Sequence, residues 1–433
     1  MPLDRRVKSA ILTILITAGM LMVAVGVRGE STTKSPDYNE LQLFYKVMKI
    51  VKRNYVKDVS DKELLQGALN GMLQSLDPHS SFLTEDMLNE LQAETKGEFG
   101  GLGIEITMEK GVLTIVSPIE DTPAFKAGLK PGDKIIKIDG ETTKDMTVLK
   151  AVKMMRGPRG SKVTITIMRE GFNNLKDYTI TRDIIHVHSV KKQVVDPGYA
   201  YIRILNFQED TDTELATAIQ EVGDDASIKG VILDLRNDPG GLLDQAVKVT
   251  NMFIDKGLIV YTDGRSKDQR MEFRANTIGA HYNFKMATLI NEGSASASEI
   301  VAGALQDHDR SLILGSKSFG KASVQTIIPL DNGSGLRLTT AYYYTPKGRH
   351  IQKTGILPDV DMKEEMQKQE EKEADEANRG KQKKQVYPKP VVDVENDQVV
   401  KKALEWLKSD VTVKQFKIDN QKKNLPDTAL NQD

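Results

Sequence analysis

The sequence contains no cysteine among its 433 residues. Disulfide bonds, thiolate zinc sites and a cysteine nucleophile are therefore excluded. It also lacks an excess of charge of one sign, because 60 basic and 61 acidic residues leave a formal net charge of -1. Nucleic-acid-binding proteins normally carry a basic excess or patch, so we expect no nucleic-acid partner. No residue pattern indicates a metal site, a nucleotide-binding loop or a cofactor.

Long hydrophobic runs are scarce, and the clearest one lies at the N-terminus. Arg5, Arg6 and Lys8 precede an uncharged apolar run over residues 10–27, an order typical of a secretory signal. At about 1.5 Å per residue a helix of this length spans roughly 27 Å, so the run also fits a membrane anchor. Because the basic flank faces the cytoplasm, we expect an extracytoplasmic, periplasmic protein. It is either soluble after cleavage or held at the inner membrane by residues 10–27 alone.

The remaining chain has the composition of a folded protein and the length of several domains. Hydrophobic residues make up 39% and charged residues 28%. Changes in pattern predict five segments: a signal peptide or anchor (1–30), a helical region (31–96), a β-rich domain (97–183), an α/β core (184–362), and a charged linker with a C-terminal helix (363–433). The predicted fold class is therefore α/β, with an inserted β-rich domain and helical flanks.

Two strand–turn–helix units stand out in the predicted core. An apolar strand at 231–235 leads through a small-residue turn into a helix at 242–253. A second strand at 287–290 leads in the same way into a helix at 298–306. Turns that follow neighbouring parallel strands lie at the same edge of a sheet, so we expect a site where these two turns converge.

Ser296, in the second turn, has two interpretations. A serine at a sharp turn before a helix presents its hydroxyl to a substrate, and the free N–H groups of the helix stabilise an oxyanion. Alternatively, Ser296 and Glu299 form the capping box Ser-x-x-Glu, in which serine only caps the helix. The motif alone favours capping slightly.

A serine nucleophile also needs a base. His308 and His350 lie in the same segment, and histidine is the commoner choice. Lys321 is the other candidate, because it has small and aromatic sequence neighbours and no adjacent carboxylate. A lysine serves as a base when burial or a nearby cation lowers its pKa, although a lone lysine of this kind is more often a surface residue.

Several motifs between residues 40 and 360 make these choices more specific. They are Leu76-Asp-Pro-His-Ser80, Asp234-Leu-Arg-Asn-Asp-Pro-Gly-Gly241, Asn291-Glu-Gly-Ser-Ala-Ser-Ala-Ser-Glu-Ile300, Ser318-Phe-Gly-Lys321 with Gln325, Thr339-Thr-Ala-Tyr-Tyr-Tyr-Thr-Pro346 and Gly355-Ile-Leu-Pro-Asp359. Together they resemble the C-terminal processing, or tail-specific, peptidase family. The resemblance implies a crotonase/ClpP-like αβ protease core and a serine endopeptidase that works through an acyl-enzyme.

The resemblance also implies roles for individual residues. Ser296 is expected to be the nucleophile and Lys321 the general base. Gln325 is expected to orient the lysine, and a strand shared by Lys321 and Gln325 would place both on one face. The expected oxyanion donors are the N–H of Ala297 and that of a glycine in the pair Gly240-Gly241, with Gly240 the first choice.

Two positions depart from the family pattern. Asp238 stands where the family usually has a second asparagine, and Ala322 replaces a common glycine. Neither change removes a catalytic group, so activity is still expected.

A second resemblance concerns the β-rich segment. The run Gly101-Leu102-Gly103-Ile104 is similar to the carboxylate-binding loop of PDZ domains, in which backbone N–H groups hold a peptide's free C-terminus. Taken alone, the run also fits a glycine-rich structural turn. The PDZ interpretation implies protein or peptide substrates with apolar C-termini. Family resemblance further implies gating by the PDZ domain and a homodimer through the N- and C-terminal helices. Arg169, at the domain junction, is a candidate for coupling the two domains, and a solvated strand end is the alternative interpretation of this residue.

Two other functional classes fit the sequence less well than a peptidase. A non-catalytic PDZ scaffold would not need Ser296, Lys321 and Gln325, yet all three are present. A crotonase-like hydratase would use acidic residues and an acyl-thioester, and gives no reason for a PDZ insertion.

Overall fold

The computed structural model describes residues 38–423, except for 110, 170, 172–173, 224–226 and 379–390. The predicted signal or anchor at 10–27 lies outside the described residues. Within the described part, no helix is both long and apolar enough to cross a bilayer. The chain divides into two compact units, with the boundary between Met72 and Leu73. The five predicted segment boundaries remain predictions.

The first unit consists of helix α1 (Tyr38–Asn54) and most of α2 (Asp61–Gln74). A capping box starts α2, because Ser60 N–H donates to Glu63 Oε2 at 2.8 Å and Glu63 N–H donates to Ser60 Oγ at 3.1 Å. Several large apolar side chains of α1 are exposed: Leu41, Leu43, Phe44, Tyr45, Val47 and Ile50. Since α1 has more apolar surface than its own unit buries, it is suited to a further contact.

The second unit begins with a short strand and a helix and then enters a β-rich region. Its elements are β1 (Ser81–Leu83), α3 (Glu85–Lys96), β2 (Glu98–Gly101), β3 (Ile104–Glu109), β4 (Val112–Pro118), α4 (Pro123–Lys126), β5 (Lys134–Ile138), β6 (Glu141–Thr142), α5 (Val148–Met155), β7 (Lys162–Met168), β8 (Lys176–Thr181) and β9 (Asp183–His186). Strands β3, β4, β5, β7 and β8 pair antiparallel in that order, and β6 pairs with β5. Alternating apolar residues of these strands fill one core: Leu113, Ile115, Ile135, Ile138, Ile165 and Ile167.

The β-rich region is inserted between two antiparallel strands. β2 leads into it and β9 leads out of it, and the two strands pair from Glu98↔His186 to Gly101↔Asp183. Its sheet has β3 at one edge. An edge strand has unpaired backbone groups and can accept a further strand.

The α/β core follows. Its elements are β10 (Val190–Asp196), β11 (Tyr199–Ile204), α6 (Thr211–Val222), β12 (Gly230–Asp234), α7 (Leu243–Asn251), β13 (Gly257–Gly264), a 3₁₀ turn (Lys267–Gln269), β14 (Glu272–Ala275), β15 (Lys285–Ile290), α8 (Ala297–Asp307), β16 (Leu312–Gly315), β17 (Ser323–Pro329), β18 (Gly335–Tyr344), β19 (Val360–Asp361), α9 (Lys363–Asn378), α10 (Gln398–Lys408) and α11 (Val413–Lys423). Strands β10-β11-β12-β15-β16-β19 form one sheet, parallel except for β10. All five residues of β12 are buried, as expected for a strand covered on both faces.

Helices cover the two faces of this sheet. Apolar residues of α6, α7 and α8, among them Leu215, Val249 and Val301, form one core with the sheet. Val400 and Trp406 of α10 belong to a second core on the other face. A second, antiparallel sheet contains β1, β18, β13 and β14, with β17 paired to β18. The predicted α/β class with an inserted β-rich domain and helical flanks is confirmed.

Candidate active site

The two predicted turns meet at the carboxyl ends of the neighbouring parallel strands β12 and β15. Asn237 N–H donates to Asn291 Oδ1 at 2.8 Å, and Asn291 Nδ2 donates to Asn237 Oδ1 at 2.9 Å. Ala295 N–H also donates to Asp238 O at 3.0 Å. These contacts join the turns directly, so the expected convergence is confirmed.

Ser296 occupies a backbone conformation that few residues other than glycine adopt. Its φ is 55° and its ψ is -114°, which marks local strain held by the surrounding structure. Gly240 packs against it so closely that a Cβ atom there would lie 2.8 Å from Ser296 Cβ and 2.9 Å from Ala297 N. The sharp turn leaves Ser296 half-buried directly before α8.

Glu299 links Ser296 to Lys321. Its side chain is buried, and its Oε2 accepts both the Ser296 N–H and the Lys321 N–H, each at 2.9 Å. Its Oε1 accepts the Ser318 hydroxyl at 2.5 Å and the Gly320 N–H at 2.7 Å. Because one oxygen binds both backbones, the segments that carry Ser296 and Lys321 lie directly against each other.

Glu299 also makes one of the hydrogen bonds that the predicted capping box requires. It is the N3 residue of α8, and its carboxyl group accepts the N–H of the N-cap residue Ser296. Capping and presentation of the Ser296 hydroxyl therefore do not exclude each other. Burial raises the pKa of Glu299, and the hydrogen bonds from Ser318, Lys321, Gly320 and Ser296 oppose this rise.

A tyrosine also binds the two segments that carry Ser296 and Lys321. The Tyr343 hydroxyl donates to Ser296 O at 3.1 Å and also to Lys321 O. Tyr343 lies in β18 and is buried. Its burial raises its pKa, so the phenol stays a hydrogen-bond donor.

Lys321 is half-buried, and burial lowers the pKa of its amine. The charge of Arg337 lowers that pKa further, whereas the charge of Glu299 raises it. Both effects sought for a lysine base, desolvation and a nearby cation, are present. No carboxylate is adjacent to Lys321 in the sequence, but Glu299 reaches the Lys321 N–H from α8.

The two histidines considered as bases lie elsewhere. His308 is the C-cap of α8, so the length of that helix, roughly 17 Å, separates it from Ser296. Its Nε2 is bound to Leu258 O at 2.7 Å. The His350 ring packs against Tyr342 and Tyr344, which alternate along β18 with Tyr343 and so face away from Ser296.

A third histidine, to which the sequence interpretation assigned no role, interacts with the lysine. Burial, and then the charge of Lys321, lower the pKa of His79. Arg337 Nε donates to His79 O at 3.1 Å, and Thr339 N–H donates to Ser80 Oγ at 3.2 Å. The only sequence signal for this arrangement is that His79 belongs to one of the family-like motifs.

Gln325 does not contact Lys321 in this structure. Its Nε2 donates to Ser323 O at 3.1 Å and to Ser323 Oγ at 2.8 Å. The condition of one shared strand is not met, since β17 begins at Ser323, after Lys321. A register shift between Val324 and Gln325 also interrupts the alternation of faces.

The candidate oxyanion donors differ in their hydrogen bonding. The Gly240 N–H donates to Asp238 Oδ1 at 2.8 Å. Among the described residues, the N–H groups of Ala297 and Gly241 have no acceptor. Ala297 is the first residue of α8, where N–H groups lack partners within the helix, and the positive end of the helix dipole favours an anion.

The glycine-rich run of the inserted domain borders a cleft of about 110 Å³ between β3 and α5. Its lining includes Gly101, Leu102, Gly103, Ile104 and Met155. The N–H groups of Leu102 and Gly103 donate to no other described residue. Gly103 has φ 77°, and a Cβ atom there would lie 2.3 Å from Thr122 Cβ. The four predicted tail-binding residues thus lie together, with free donors beside the edge strand.

The residue suggested as a coupling between domains lies within the inserted domain. Arg169 Nε and Nη2 bind the two oxygens of Asp133 at 2.5 and 2.7 Å. Arg156, at the end of α5, instead reaches outside: it lies over the Phe99 ring at 4.6 Å and donates to Glu90 of α3 at 3.3 Å. Arg156 therefore both lines the cleft and binds the adjoining helix α3.

Known families match three parts of the chain. Residues 198–362 match peptidase family S41, and residues 100–180 match the PDZ domain. Residues 18–87 match the N-terminal domain of the activating protease CtpB.

Curated relatives match most of the chain. It is 46% identical over 359 residues to a carboxy-terminal-processing protease of Bartonella bacilliformis, covering 82% of both chains. It is 35% identical over 358 residues to the carboxy-terminal processing protease CtpA of Bacillus subtilis, covering 81% of this chain and 75% of that protein. Among solved structures, a photosystem II D1 C-terminal processing protease is 30% identical, with a TM-score of 0.45 and coverage of 75% and 93%.

Proposed function

This chain belongs to the C-terminal processing peptidases of family S41, which are serine-type peptidases with a PDZ domain, and from that premise we propose that it cleaves proteins with Ser296 as nucleophile and Lys321 as general base. The observation that carries this proposal is the single oxygen of Glu299 that binds the N–H groups of both residues at 2.9 Å. The lowered pKa of Lys321 supports the role of its amine.

The proposed reaction is acyl transfer. The neutral amine of Lys321 takes the proton of the Ser296 hydroxyl, and Ser296 Oγ bonds to the carbonyl carbon of the substrate. The negative charge on the carbonyl oxygen is stabilised at the start of α8, by the Ala297 N–H and by an N–H of the Gly240-Gly241 pair. The C–N bond then breaks, and the Lys321 ammonium returns its proton to the leaving amine.

Deacylation repeats these steps with water. Lys321 takes a proton from the water molecule, whose oxygen attacks the acyl-enzyme ester, and Ser296 leaves with that proton. Arg337 and the partial burial of Lys321 favour the uncharged amine that both half-reactions need. In the described conformation Gln325 is bound to Ser323, so its proposed role in orienting the lysine requires a change of its side-chain rotamer.

Substrate choice is proposed to rest on the cleft of the inserted domain. A substrate tail would add a strand to the edge of β3. Its terminal carboxylate would accept hydrogen bonds from the free N–H groups of Leu102 and Gly103. The apolar lining of the cleft, including Ile104 and Met155, suits an apolar last residue.

The protein is proposed to act outside the cytoplasm, in the periplasm, directed there by residues 10–27. The support is the basic-then-apolar order of the N-terminus. N-terminal sequencing of protein from the periplasmic fraction distinguishes a cleaved signal from a retained anchor. We also propose a homodimer, supported by the exposed apolar side chains of α1, which sedimentation of the intact chain tests.

Replacement of either proposed catalytic residue tests the mechanism. Ser296→Ala and Lys321→Ala are each expected to lower the rate of cleavage of unfolded casein on the order of 10⁴-fold. His308→Ala and His350→Ala serve as matched controls and are expected to keep near wild-type rates. Near wild-type turnover in Lys321→Ala would show that the base is another group. Absence of cleavage by the wild type would favour a non-catalytic scaffold.

A further inference from the structure

Asp238 is a buried acid in the turn that carries the oxyanion glycines, and the proposed mechanism gives it no role. It is 0% exposed. Its Oδ1 accepts the Gly240 N–H at 2.8 Å, whereas its buried Oδ2 has no hydrogen-bond partner among the described residues. A charge on this carboxyl group would lack most of the compensation that a buried carboxylate needs.

The backbone of Asp238 is bound to the start of α8. Its carbonyl oxygen accepts the Ala295 N–H and the Ser298 hydroxyl, each at 3.0 Å. Ala295 and Ser298 lie on either side of Ser296 and Ala297 in the sequence. The turn that carries the Asp238 carboxyl group is therefore held against the start of α8, where the Ala297 N–H lies.

Two charged side chains act on the Asp238 carboxyl group. Arg203 of β11 favours its ionisation, and Asp234 at the end of β12 opposes it. The start of α8 contributes the Ser298 hydroxyl, which favours ionisation, as does the Gly240 N–H. Burial outweighs these groups and raises the pKa of Asp238 to about 7.

Building on the proposed Ser296 chemistry, we propose that Asp238 is a positioning residue that sets an alkaline limit on the reaction. The carboxyl group is uncharged in the active form of the site. When it ionises, it holds the Gly240 N–H more tightly, because charge-assisted hydrogen bonds are roughly twice as strong as neutral ones. The same charge lies beside the developing oxyanion. Both effects weaken the stabilisation of the transition state.

This role predicts a specific change in the dependence of kcat on pH. The rate rises with pH as Lys321 loses its proton, and in the wild type it falls again several-fold as Asp238 ionises. In Asp238→Asn the amide oxygen still accepts the Gly240 N–H but carries no charge. That variant is expected to keep the rise and to reach a plateau at high pH.

The profile is measured with a fluorogenic peptide from about pH 5 to about pH 10, and circular dichroism at each pH shows that the chain is folded. Asp244→Asn, in the adjoining helix α7 with an exposed side chain, is the matched control and should keep the wild-type fall. A fall of kcat in Asp238→Asn that matches the wild type would overturn the proposal.

A second variant covers the case in which Asp238→Asn does not fold. Arg203→Gln removes the cation that favours ionisation of Asp238, so the fall should move to higher pH; an unmoved fall contradicts the proposal. The outcome is separable from the proposed function. Activity in Ser296→Ala would refute the serine mechanism, whereas inactive Ser296→Ala together with an unchanged fall in Asp238→Asn would refute the role of Asp238 alone.

Discussion

The two carboxylate oxygens of Glu299 together accept hydrogen bonds from four donors. Oε2 binds the N–H groups of Ser296 and Lys321, and Oε1 binds the Ser318 hydroxyl and the Gly320 N–H. Every donor belongs to one of the two segments that form the proposed dyad. The relative placement of these segments therefore depends on a carboxyl group that does not itself react.

Glu299→Gln is expected to damage the site without removing a reacting group. The amide keeps one acceptor oxygen and turns an N–H₂ toward two buried donors, so roughly 2–4 kcal/mol of unfolding free energy is lost. We expect kcat to fall on the order of tenfold or more, because displacement of reacting groups is costly. Urea unfolding and casein cleavage measure both effects.

Glu292→Gln is the control for that change. Glu292 lies in the turn before α8, is exposed and binds only Ser316 at 3.3 Å among the described residues. It should leave both quantities near their wild-type values. Equal behaviour of the two variants would show that the Glu299 contacts do not position the dyad.

The sequence predicted single residues well only where the interaction is local. The Ser296–Glu299 pairing follows from helix spacing, and it exists. The contacts of Glu299 with Ser318 and Lys321 depend on how a distant loop folds back, which no spacing rule describes. Gln325 shows the same limit, because a bulge in β17 broke the regular alternation on which its expected orientation relied.

At the scale of whole elements, helix α10 is fixed to the site through its N-cap residue, Asp397. Asp397 caps the helix by accepting the N–H groups of Val399 and Val400, and it accepts Arg236 Nη2 at 2.7 Å. Arg236 also forms an ion pair with Asp234, at the end of β12. The turn that contains the proposed oxyanion glycines is thus held from the far side of the sheet by a C-terminal helix.

Asp397→Asn tests this attachment. Asparagine is as good an N-cap as aspartate, so the helix stays capped while the ion pair with Arg236 is lost. We expect the unfolding free energy to fall by about 2 kcal/mol and kcat to fall several-fold with little change in KM.

The matched control is Asp196→Asn, which breaks the ion pair of Asp196 with Lys408 at the opposite end of the same helix. Those side chains are 32% and 46% exposed, and exposed pairs contribute about 1 kcal/mol or less. A kcat equally reduced in both variants would mean that α10 acts through general stability.

Elements were predictable from sequence where apolar periodicity and turn residues coincide. The two strand–turn–helix units of the core are of this kind. The three-residue strand β1 and its pairing with β18 were not predicted. Such a short strand has too few residues to show a period, and its partner lies more than 250 positions away in the sequence.

At the scale of the whole molecule, the protein combines a protease core with a PDZ domain, whose cleft is proposed to bind a free C-terminus. A peptide that ends in an apolar residue with a free carboxylate should bind Ser296→Ala protein at least tenfold more tightly than the same peptide with an amidated end. The reason is that the amide cannot supply a charged acceptor to the N–H groups of Leu102 and Gly103. Fluorescence anisotropy with labelled peptides measures the ratio, and equal affinities would remove the argument for a carboxylate-binding loop.

The general architecture could be inferred from the sequence, because motif order alone separates the β-rich domain from the core. What could not be inferred is which side chains of the β-rich domain contact the elements next to it. Arg169 was a plausible connector by position, yet it binds Asp133 within its own domain. Arg156 makes the outward contacts with Phe99 and Glu90 instead, and only the folded arrangement brings these residues together.

The pairing of β2 with β9 has a consequence for how such enzymes diversify. The two strands hold the first and last residues of the inserted domain side by side. The insertion therefore begins and ends at nearly the same place. The entropy of loop closure rises only slowly with the length of an insertion. Natural variants can therefore carry an inserted domain of a different size while the protease core keeps its structure.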